Sequence, residues 1–135
     1  MSFMTLVWEW DYHREVEKLR TLYSLGEALV FLSSDAVIQK NSVCGCPFCE
    51  VWNDQCSDVL KFIESIGDLA SPELSNILSQ LSDAFDNLSD KECECGTLDI
   101  FESQGWGKIR ELSGAALENL EWKLLKGYKC DLENL

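Results

Sequence analysis

The 135-residue chain is short of positive charge: 11 Lys and Arg stand against 24 Asp and Glu, a formal net charge of −13. A nucleic-acid binder needs a basic face to neutralise phosphates, so the net charge argues against that class. It argues against docking on anionic lipid for the same reason. Long apolar runs are also missing. The longest, residues 28–32, stops at Ser33, Ser34 and Asp35, far short of the roughly 18 residues that span a bilayer. There is one histidine, His13, which reads as a polar surface group near a helix start. No phosphate loop, dinucleotide fingerprint or calcium loop occurs. A secretory signal is not read either, because two acids precede the first base, Arg14. The expected compartment is therefore the cytosol, where thiols stay reduced.

What is present suits one packed domain. Apolar residues make up 46% of the chain, including five Trp, enough for a core without disulfides. A first helix is expected over residues 11–38, with Val16, Leu19, Leu22, Tyr23, Leu29 and Val30 at helical steps. Trp8 and Trp10 suit an extended start or an early turn. The run 28–32 also reads as a buried strand, and 98–101 as another short strand. Residues 39–49 read as loop. A second helix is expected over 54–66, with Val59, Phe62, Ile63 and Ile66 inward. Ser71-Pro72-Glu73 then opens a third: Ser caps it, Pro fits its first position, and Glu complements its dipole. Its stripe is Leu74, Ile77, Leu78, Leu81, Ala84, Phe85 and Leu88. A last helix is expected over 108–126, with Leu112, Leu120 and Leu124 in its stripe and Gly127 just past its end. The expected fold is mainly α: a compact bundle of four or five helices with Cys-containing loops and room for a short strand pair.

The acids are unevenly placed. Residues 50–103 hold thirteen acids and only two bases, Lys61 and Lys91, so nearly all the excess sits there. Asp83, Asp86 and Asp90 follow at three- and four-residue steps, off the leucine stripe, and should face water. Such a face serves solubility, or it meets a positive surface and speeds capture of a basic partner. Inhibitors of nucleic-acid enzymes have reason to carry one, because their targets have a basic cleft for phosphate. Asp83, Asp86, Asp90, Glu92 and Glu94 are the candidate partner-facing carboxylates. Trp106, set between Gly105 and Gly107, is the candidate aromatic anchor. Trp52 is a further candidate.

The cysteines give a second lead. Cys44, Cys46, Cys49, Cys56, Cys93, Cys95 and Cys130 are odd in number, which does not suggest a closed disulfide framework. Cys46-Pro47-Phe48-Cys49 is similar to one knuckle of a zinc ribbon, and Cys93-Glu94-Cys95-Gly96 has the close spacing of a second. Cys46, Cys49, Cys93 and Cys95 are thus a candidate structural zinc set, which would close the metal's shell and leave no place for substrate. Unliganded cysteines in packed loops are the alternative. The same tetrad also resembles the dithiol of glutaredoxin-type proteins, which belongs after a strand in a βαβ unit. The function expected from all this is non-catalytic: an acidic protein that binds and neutralises a basic one, such as a nuclease or toxin. A zinc-stapled adaptor is the alternative, and a thiol-redox protein the third.

Overall fold

Leucines at 19, 22, 25, 29 and 32 recur every three or four residues, and all five are buried. They define the inward side of the central helix of the fold. The computed structural model describes residues 3–43, 45–94 and 96–129. Over these residues the fold is all-α, with no strand. Eight α-helical segments follow in order: α1 (Phe3–Tyr12), α2 (Val16–Ser33), α3 (Ala36–Ser42), α4 (Pro47–Val51), α5 (Ser57–Ile66), α6 (Pro72–Asp86), α7 (Gln104–Leu120) and α8 (Trp122–Lys129). A π turn, Trp52–Cys56, joins α4 to α5 without a break. Tighter 3₁₀ turns occupy Gly67–Leu69, Asp90–Cys93 and Leu98–Glu102. Helix α2 packs chiefly on α7 and α5, and α6 packs chiefly on α7 and also touches α5. Among the described residues no single helix is long and apolar enough to cross a membrane, although α2 and α3, bent by 118°, pass that test as a pair.

The segment expected as one helix over 11–38 is three. Arg14 has a φ of 57°, which ends α1 and starts α2. The break lets Glu15 N–H bond the Trp10 carbonyl at 2.8 Å. Trp8 and Trp10 are in α1, where Trp10 is buried and Trp8 exposed. Ser34 and Asp35 are extended and divide α2 from α3. The expected loop over 39–49 is largely helical, because α3 runs on to Ser42 and Pro47 sits at the first position of α4.

One polar staple holds this corner. Buried Gln39 donates from Nε2 to the carbonyls of Phe31 and Leu32. Arg110 on α7 donates to Ser34 O, Gln39 Oε1 and Phe101 O. The bonds to Phe31, Leu32 and Ser34 reach carbonyls at the end of α2, where the helix itself supplies few donors, and the bond to Phe101 ties α7 to the 3₁₀ turn Leu98–Glu102. The segment 98–101, expected as a strand, is instead a 3₁₀ turn that buries Ile100 and Phe101.

Helix α6 matches the sequence reading. Ser71 Oγ accepts from Leu74 N at 3.1 Å, Pro72 opens the helix, and Leu74, Leu78, Leu81 and Phe85 are buried. The last expected helix divides at Glu121, whose φ of 56° restarts the chain as α8. That break shifts the helical phase. Trp122 and Leu125 turn inward, Leu124 is exposed, and Gly127 lies inside α8. Gly26 leaves room for the Trp122 ring to lie directly on α2. Beside it, Tyr23 donates its hydroxyl to Leu125 O at 2.6 Å and pins α8. Ser113 of α7 is fully buried, and its Oγ has no partner among the described residues.

Candidate functional site

The leucine stripe of α6 turns its opposite side to water. Asp83 and Asp86 are exposed there. Helix α6 ends at Asp86, so Asp90 does not continue the row along the same helix. It begins the 3₁₀ turn Asp90–Cys93, and it and Glu94 are exposed. The ion pairs among the described residues join Arg14 to Asp11, Lys18 to Glu15, Arg20 to Glu17, and Lys40 to Asp99 and Glu102. None of them involves Asp83, Asp86, Asp90 or Glu94. Four of the five expected carboxylates therefore present uncompensated charge to solvent.

The fifth, Glu92, is used internally. Its Oε1 accepts from Ser89 N at 3.0 Å and Ser89 Oγ at 3.1 Å, completing a capping box. Its Oε2 accepts from Gly105 N at 2.7 Å, at the first turn of α7. The Ser103 hydroxyl, then the Ser89 and Gly105 amides, hold its carboxyl below the ordinary glutamate value. It is not a carboxylate waiting for a partner.

Trp106 is a core residue and not an exposed anchor. Its ring is 1% exposed, edge-on to Phe85 at 6.0 Å and Phe101 at 5.3 Å. Its Nε1 donates to Glu92 O at 2.9 Å. Gly105 does not serve to project the ring. Its missing side chain lets Glu92 reach the backbone, and Trp106 turns into the core. Trp52 is 38% exposed and rests on Phe48 and Phe85.

A groove runs between α5 and α6. It encloses about 370 Å³, with Leu60, Ile63, Ala70 and Leu78 on its apolar surface and Glu64, Asp68 and Asp83 among its polar residues. Neither Lys nor Arg lines it. Leu60 and Ile63 are each 36% exposed, so Ile63 is not the core residue the periodicity suggested. A legible signal existed. Leu60 and Ile63 are three residues apart, hence neighbours on one side of α5, beside the Val59, Phe62 and Ile66 stripe. The groove lies within the acidic part of the chain and shares Asp83 with the exposed acids.

The four described cysteines fall at α4, in the π turn and in the 3₁₀ turn Asp90–Cys93. Cys46 precedes α4 and is half-buried, Cys49 is exposed on α4, and Cys93 ends the 3₁₀ turn half-buried. Cys44, Cys95 and Cys130 lie outside the described residues. Among the described residues no group of three or more His, Cys, Asp or Glu is placed to hold a metal ion. The strand that precedes a dithiol motif in a βαβ unit has no counterpart among them either. Cys56, in the π turn, is buried; burial first and the Asp86 charge second push its thiol up to about 11. His13 is exposed, edge-on to Tyr12.

Comparison with protein-family models, with characterised proteins and with solved structures finds no match.

Proposed function

We propose that this chain is a non-catalytic acidic protein that binds and neutralises a basic partner, as an immunity-type or anti-defence inhibitor of a nucleic-acid-processing enzyme such as a nuclease. The observation that carries this reading is the set of exposed carboxylates Asp83, Asp86, Asp90 and Glu94, which take no part in the ion pairs among the described residues. Their mutual repulsion costs stability and is offset when a positive surface meets them. A nuclease cleft supplies such a surface, because it is built to hold phosphate. In this mechanism the carboxylates occupy the cleft and deny it to nucleic acid. The contribution lies mainly in a fast, salt-sensitive association.

The test is capture from lysate on the immobilised chain, elution with rising salt, and identification of the eluate by mass spectrometry. The expected result is a stoichiometric basic enzyme, released by salt and inhibited by the native chain. Replacing Asp83, Asp86 and Asp90 together by Lys should abolish both capture and inhibition while leaving the helical circular dichroism intact. Capture that survives this reversal overturns the reading. Metal analysis of the same sample covers the alternative: one zinc per chain with no partner would favour a stapled module.

A further inference from the structure

We infer that the α5–α6 groove is the docking site for an amphipathic helix of the partner, apolar on its inner side and flanked by Lys and Arg. This deepens the proposed function and rests on it. Leu60 and Ile63 sit three residues apart on α5, both partly exposed, at the edge of a groove of about 370 Å³. A helix laid into a groove between two helices offers anchors at i, i+3, i+4 and i+7 that suit such a slot. A volume near the lower end of the roughly 300–1,000 Å³ typical of ligand pockets suits a few side chains and not a large cofactor.

Charge selects the occupant. Glu64, Asp68 and Asp83 line the groove together with serines, and no base does. A second copy of this chain, itself at −13, would bring like charge to that rim. Nucleic acid and anionic lipid are repelled on the same ground. A cationic amphipathic helix satisfies both features: its apolar stripe covers Leu60 and Ile63, and its flanking bases face the three carboxylates. Asp83 then belongs to two surfaces at once, the groove rim and the exposed row on α6. The groove thereby gives the docking surface a specificity that scattered carboxylates lack.

The probe is a labelled synthetic peptide of about fifteen residues, enough helix to span the ten residues of α5. It carries leucine at i, i+3, i+4 and i+7 and lysine elsewhere. A scrambled peptide of identical composition is the control, and binding is read by fluorescence anisotropy against the whole chain. The amphipathic peptide should bind at least about tenfold more tightly than its scramble. Ile63→Ser should remove that advantage, and Ser79→Tyr, which fills the groove from α6, should do the same without deleting an apolar residue. Equal binding of the two peptides, both released by salt, would overturn the groove while leaving the electrostatic reading standing. Loss of both peptides even at low salt would overturn the two together. Preferential binding that persists in Ile63→Ser and Ser79→Tyr would place the site elsewhere and overturn this assignment.

Discussion

The Glu92 carboxylate bonds the backbone N–H of Gly105, thirteen residues later, at 2.7 Å. The same side chain caps its own turn at Ser89. One carboxylate therefore ties the link after α6 to the start of α7 and sets Trp106 inward. Glu92→Ala should lower stability by about 1–2 kcal/mol near neutral pH, from the lost cap and the stranded amide. The pH dependence has a definite sign. The folded carboxyl titrates below the ordinary value of 4.5, so its contribution is present above that value. It is lost as pH falls through the lower, folded value. Denaturant melts of the two proteins should diverge at pH 7 and converge in strong acid. A gap that stays constant across that range would show that the carboxylate's charge is not what matters.

Gly26 and Trp122 form the other close approach. A methyl group at residue 26 would overlap the indole ring. Gly26→Ala gains up to about 1 kcal/mol of helix propensity, yet overpacking costs about 1–3 kcal/mol and should win. The variant should melt lower than the native chain. In a Trp122→Ala background the same change should cost less, or stabilise, because the two residues share one space.

Much of the architecture was legible where its causes are local. Ser71-Pro72-Glu73 and the following leucines carry α6 entire, since a cap and a stripe are written within one helix. The breaks at Arg14 and Glu121 were not legible. Both are exposed non-glycine residues in left-handed backbone, flanked by backbone hydrogen bonds such as Glu15 N–H to Trp10 O and Glu121 N–H to Glu118 O, and no turn residue announces them. Missing the second break is what put Leu124 inside and Gly127 past the helix end. The exposed acids were legible from composition and spacing. Glu92 was not separable from its neighbours, because its role depends on Gly105 being brought to it by the fold. The groove needed two helices side by side, and only half of it, Leu60 and Ile63, is visible within one segment.

Ser113 offers a simple gain. Its hydroxyl is buried without a partner among the described residues. A buried hydroxyl left without a bond costs about 1–3 kcal/mol. Ser113→Ala keeps the methylene, removes the orphan oxygen and adds helix propensity. Thermal melting should show a rise. A fall would mean that the hydroxyl bonds an ordered water whose loss is costly.

Cys56 should resist alkylation in the native state. With its thiol pushed to about 11, only about one molecule in a thousand is thiolate at pH 8. It is also 3% exposed. Mass mapping after iodoacetamide treatment should find Cys49 modified well ahead of Cys56, and unfolding in urea should abolish the difference. Rapid native labelling of Cys56 would indicate frequent opening of the π turn that holds it.

Salt should stabilise this protein, and the acids on and after α6 should be the reason. Raising ionic strength from about 0.01 M to about 0.1 M shortens the screening length from about 30 Å to about 10 Å. At −13 the chain repels itself, and Asp83, Asp86, Asp90 and Glu94 are exposed acids that lie outside the ion pairs among the described residues. Screening also weakens the pairs elsewhere. Those are surface pairs, however, worth about 0–1 kcal/mol each, and Arg14–Asp11 and Lys18–Glu15 are open at 3.6 and 3.9 Å. Relief of repulsion should therefore win, and the melting temperature should climb across this range. Converting Asp83, Asp86 and Asp90 to Lys removes nearly half of the net charge, so it should raise the low-salt melting temperature and flatten its salt dependence. An unchanged salt slope in that variant would show that the repulsion resides elsewhere, and that these three carboxylates are not the strained electrostatic surface from which partner binding is argued.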